Sequence, residues 1–98
     1  MADDLPPDVF RTIIATFEED LGRLVGELRE AHEKGDLDGY MRAAHSLAGA
    51  AAAVGALGLE REARIAMDHR QPEPGATVLP RLLAEAKGAL EALHALIH

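Results

Sequence analysis

The sequence predicts an all-α protein, an antiparallel up-and-down bundle of four helices, and three observations carry that prediction. Apolar residues recur at alternating steps of three and four along most of the chain, the spacing of one helix face. The only phenyl or phenol rings are Phe10, Phe17 and Tyr40. A core of Leu, Ile, Val, Met and Ala suits close helix packing better than a sheet, which favours β-branched and aromatic residues. Turn signals at Gly35-Asp36, Gly55 and 71–75 divide the chain into four stretches. Their short connections set sequential helices side by side and antiparallel.

The first helix is expected over about 8–34. It starts at the Pro6-Pro7-Asp8 cluster, because proline is tolerated in a first turn and an acidic side chain suits the positive end of the dipole. Phe10, Ile13, Phe17, Leu21, Leu24, Leu28 and Ala31 form its apolar stripe, and the acidic residues before it are expected to fray. Gly35 can take the left-handed conformation that ends a helix, and Asp36 can cap the next. The second helix is expected over 37–54, with Leu37, Tyr40, Ala44, Leu47, Ala51 and Val54 inward, and Gly55 ends it. The third, 56–70, buries some of Leu57, Leu59, Ala63, Ala66 and Met67, and a loop follows at Gln71-Pro72-Glu73-Pro74-Gly75. The fourth is expected over 78–97, with Thr77 as its cap, Pro80 in its first turn, and Leu79, Leu82 or Leu83, Ala86, Leu90, Leu93 and Ile97 inward.

A length of 98 residues fits one domain over 1–98, and 48% hydrophobic residues are enough for a packed core. With no cysteine, disulfides, thiolate metal sites and cysteine nucleophiles are excluded. The formal charge of −7 opposes binding to nucleic acid or an anionic membrane, both of which need basic patches. No apolar run approaches the ~20 residues of a membrane span. The first residues, MADDLPPDVF, lack the basic and apolar regions of a signal peptide. A cytoplasmic protein is the expectation.

One stretch of the second helix stands apart. Helical geometry sets His45 about 100° around from the Ala44 stripe, on a flank with Met41, Ala48, Gly49 and Ala52. One turn beyond the histidine nothing larger than a methyl group follows. Glycine within a helix costs about 1 kcal/mol against alanine, so Gly49 needs a reason. Either a neighbouring helix packs closely on it, or a partner molecule does. Packing arguments leave both open.

The run Ala44-His45-Ser46-Leu47-Ala48-Gly49-Ala50, continued to Gly55, Ala56 and Leu59, resembles the signature of histidine-containing phosphotransfer (HPt) domains. That signature reads roughly A-H-x-L-K-G-S/A-x-x-x-x-G-A, then a leucine. Gly35-Asp36 resembles the family's usual helix start, and Met67-Asp68 falls where the family often has Leu-Glu. The resemblance implies a phosphorelay intermediate, with His45 as phosphoryl acceptor through its outward Nε2. A free imidazole has a pKa of about 6.5, so it is a competent neutral nucleophile near pH 7. The implied partners are a response-regulator receiver domain, a hybrid histidine kinase, or both. The chain needs no metal or cofactor of its own, because Mg²⁺ is expected on the receiver. A monomer is expected, and no independent catalytic site.

The chain departs from the signature at Ala48, where the family has lysine. A substitute cation is sought in Arg42, three residues before His45, or in Arg64 or Arg70, with Arg64 the better placed at mid-helix. Each has the plainer reading of a solvated charge. Met41, Ala48, Gly49 and Ala52, with Tyr40 or Leu37 nearby, are the candidate docking surface, although Met41 reads equally well as core. The missing lysine also admits a degenerate bundle that binds a receiver or kinase without carrying phosphate. His94 and His98 are spaced as a metal pair but read as end-of-helix residues, as does His32. His69 has no evident partner, and Glu18, Glu19 and Asp20 read as a solvated face.

Overall fold

A computed structural model describes residues 6–68, 70 and 74–97 of the chain. Its helices are α1 (Pro7–Lys34), α2 (Leu37–Ala53), α3 (Leu57–Ala66) and α4 (Gly75–Ala95), with no strand among the described residues. α1 packs on α2 and α4, and α3 packs on the same two. The expectations placed on residues 1–5, 69, 71–73 and 98 lie outside the described residues.

α1 has Pro7 at its start and Asp8 in its first turn. Its stripe holds at Leu21, Leu24, Leu28 and Ala31 and is corrected near its start. Ile14 is buried at 8% exposure, whereas the expected Ile13 is 40% exposed. α1 is 28 residues long, about 42 Å, in a molecule 46 Å in extent, whereas α2 has 17 residues and α3 only 10. The shorter helices leave Val9 and Ile13 uncovered near one end of α1.

The α1–α2 connection forms as expected. Gly35 adopts φ 69° and ψ 23°, and the Asp36 N–H donates to the Ala31 carbonyl at 2.9 Å. The Asp36 carboxylate then accepts from the Gly39 N–H at 3.0 Å, capping α2. The inward face of α2 is Tyr40, Ala43, Ala44, Leu47, Ala48 and Ala51. Leu37 is not part of it: at 69% exposure it precedes the first turn that a neighbour covers. Gly55, at φ 73°, ends α2, and the Ala56 N–H closes the turn on the Ala51 carbonyl at 2.9 Å.

α3 is shorter than expected, ending at Ala66 rather than near residue 70. The Asp68 carboxylate accepts from the Arg70 N–H at 2.8 Å, a local turn that competes with helix continuation. Leu59, Ala63 and Ala66 are buried, Met67 is half-buried, and Leu57 is exposed. The sequence reading missed Glu62, a buried carboxylate that accepts from Arg81 Nε on α4 at 3.0 Å.

α4 starts at Gly75, three residues earlier than expected. Pro74 occupies the cap position, and the Thr77 N–H donates to its carbonyl at 2.9 Å. Thr77 is therefore inside the helix, and Pro80 lies beyond the first turn. The His32 ring approaches Gly75 so closely that a Cβ there would meet it and the ring would have to shift. The earlier start brings Val78 into the core one turn before Leu82, both fully buried, while Leu83 is half-buried.

Candidate functional site

α2 presents two different flanks. Gly39, Arg42, Ala43 and Ser46 border a cleft of about 260 Å³ whose far wall is Glu27, Glu30 and Lys34 of α1. Met41 and Tyr40 border a second, of about 440 Å³, that reaches Ala66 at the end of α3 and Asp68 just after it. The Arg42 flank thus faces α1 and the Met41 flank faces the α3 side. His45 is exposed on the outer surface between them, together with Ser46, Gly49 and Ala52.

Gly49 is not there to admit a neighbouring helix. A Cβ built on it meets no atom within 4 Å. Of its two sequence-level explanations, close packing inside the bundle falls away. Ala48 proves to be core: it is 4% exposed and packs with Ala44, Leu47 and Ala51. The expectation that it lines an open surface is corrected, because its position turns from His45 back toward α3. Met41 is half-buried against the core.

The three arginines differ. Arg64 donates to Glu60 Oε2 through both Nε and Nη2, at 2.9 and 2.6 Å. Arg70 is 3.9 Å from Asp68, and its side chain is almost wholly exposed. Arg42 is exposed and makes no ion pair or side-chain hydrogen bond among the described residues. The i,i+4 spacing of Glu60 and Arg64 was a visible signal for their pairing; nothing local signals that Arg42 stays unpaired.

Tyr40 is not a surface residue either. It is 7% exposed, its ring tilted 49° to that of His32 with centroids 6.1 Å apart. Its buried hydroxyl has no hydrogen-bond partner, and burial pushes its pKa above the ordinary value. His94 Nδ1 lies 3.4 Å from Glu18 Oε2, so Glu18 is not purely a solvated charge. No group of three or more His, Asp or Glu among the described residues could hold a metal ion. No described helix is long and apolar enough to cross a membrane.

Among the described residues, four helices pack together and α2 presents His45 on an open surface of small residues. A family model described as Hpt domain matches residues 12–96, and the chain belongs to that family. Hpt domains serve histidine phosphotransfer in two-component phosphorelays, where they interact with receiver domains and histidine kinases. No curated protein and no solved structure matches the chain.

Proposed function

We propose that the chain, as one domain over 1–98, is a cytoplasmic, monomeric histidine phosphotransfer protein. His45 accepts a phosphoryl group and passes it to or from the aspartate of a receiver domain. The observation that carries this reading is the exposure of His45 beside Gly49, where space is open, in the segment that bears the family signature. The bundle is read as antiparallel and up-and-down. Supporting that topology, Glu18 in the first half of α1 lies beside His94 at the end of α4, and His32 near the end of α1 lies against Gly75 at the start of α4.

In the transfer, the neutral Nε2 lone pair attacks the phosphorus of the receiver's aspartyl phosphate. The P–N bond forms as the P–O bond to the carboxylate breaks. The ring keeps its Nδ1 proton and takes up the positive charge, so no proton need leave. Such transfers run through a loose transition state that gains most from positioning and charge neutralisation. The receiver's Mg²⁺ supplies the latter, and this chain contributes a rigid helix and clearance. Met41, Gly49 and Ala52 form the docking surface, and Ala48 supports it from below. Arg42 lies three residues before His45 on α2, whereas Arg64 on α3 is engaged by Glu60.

His45→Gln tests the assignment. Incubated with a phosphorylated receiver, the wild-type chain gains an acid-labile label and the variant gains none, with its helical circular dichroism unchanged. A label retained on the variant overturns the assignment. The second reading, a bundle that binds without carrying phosphate, is favoured by Ala48 alone. It predicts a wild-type complex with the receiver and no label.

A further inference from the structure

We propose that Arg42 supplies the cation beside the phosphoryl group that Ala48 does not, an inference that rests on His45 as the acceptor. α2 and α3 carry three cations in all: Arg42, Arg61 and Arg64. Arg64 is held in two bonds to Glu60. Arg61 lies 3.9 Å from Glu62, whose carboxylate also accepts from Arg81. Arg42 alone of the three is uncommitted among the described residues.

The carboxylates that share its cleft are already engaged. Glu27 pairs with Arg23 at 3.0 Å and Glu30 with Lys34 at 3.0 Å, both within α1. The guanidinium is therefore exposed beside acidic groups that have nearer partners. Position favours it as well. Residues three apart on a helix have Cβ atoms about 5–6 Å apart. Helical side chains lean toward the N-terminus. By that rule the patch covered by a helical residue at 45 lies over the turn that carries Met41 and Arg42. A planar guanidinium can offer two parallel N–H donors to a phosphoryl group, which lysine cannot. Arg42 acts here as a binding group for the phosphoryl oxygens and takes no part in bond exchange.

Phosphoramidate tests this without a receiver. Its P–N bond breaks, ammonia leaves, and a P–N bond to Nε2 forms. The wild type, Arg42→Gln, Arg42→Lys and Arg64→Gln are compared, with circular dichroism to verify folding. Arg42→Gln is expected to lower the steady phosphohistidine level about three- to tenfold, the size of an exposed charge-assisted contact. Arg42→Lys recovers part of it and Arg64→Gln leaves it unchanged. Phosphorus NMR of the labelled protein gives a readout that a merely structural role would not move. Loss of the guanidinium raises the pH at which the phosphoryl dianion takes up a proton. A labelled wild type with an indistinguishable Arg42→Gln overturns this inference alone, as does a loss that appears only in Arg64→Gln. A wild type that takes no label overturns the His45 reading and the inference with it.

Discussion

His45 and Ala48 are one turn apart on α2, and one is exposed while the other is packed at 4% exposure against the core. A lysine at position 48 would have to lay its stem along the α2–α3 seam and bring only its ammonium to the surface. Ala48→Lys is therefore expected to destabilise the fold by about 1–3 kcal/mol, the usual cost of enlarging a packed site. Its phosphohistidine should nonetheless outlive the wild type's by roughly threefold or more, because a cation is added near the phosphoryl group. Denaturant midpoints and the decay of acid-labile label check the two halves separately. An unchanged lifetime would show that position 48 does not communicate with His45.

Gly49 separates stability from docking. With open space above it, Gly49→Ala should stabilise the chain by about 0.5–1 kcal/mol through helix propensity alone. Gly49→Leu should also fold, since no internal atom opposes a side chain. It should still slow transfer from a receiver by tenfold or more while leaving labelling by phosphoramidate unaltered. Wild-type transfer by Gly49→Leu would remove the clearance argument.

The Asp36 cap holds the turn that leads to the site. Asp36→Ala removes the bond to the Gly39 N–H and should cost about 1 kcal/mol in thermal or denaturant unfolding. The lost order should be confined to the first turn of α2, which hydrogen exchange at Gly39 and Tyr40 reads directly. His45 lies more than a turn further on and should label at the wild-type rate.

What the sequence made legible was local. The Gly35 and Gly55 terminators and the Asp36 cap depend on one residue and its immediate neighbours, and all three are found where they were expected. The stripe phases were less secure. Alternating steps of three and four allow either Ile13 or Ile14, and only the reach of the neighbouring helices chooses between them. The start of α4 was missed because Thr77 satisfies the rules for a cap, while the close contact of His32 with Gly75 joins residues 43 positions apart in sequence. The exposure of His45 was legible from its offset to Ala44. The burial of Ala48 and the lack of a partner for Arg42 were not, since both depend on what other helices bring. The Glu62–Arg81 pair spans 19 residues and left no local trace.

Tyr40 is the one buried side chain whose polar atom lacks a partner, among the described residues. A hydroxyl that exchanges water for no protein bond is a net cost, so Tyr40→Phe should stabilise the fold by up to about 1 kcal/mol. Titration gives an independent measure. Burial favours the neutral phenol, so the folded state holds the proton to a higher pH than the unfolded state, whose ordinary value is about 10. Between those two values the native state binds more protons, and stability must fall as pH rises through that window. The contribution is whole below about pH 10, and Tyr40→Phe should flatten the decline above it. Because the chain has one tyrosine and no tryptophan, phenolate absorbance reports this residue alone. A native midpoint at or below the ordinary value, or a Tyr40→Phe variant less stable than the wild type, would mean that the hydroxyl has found a partner.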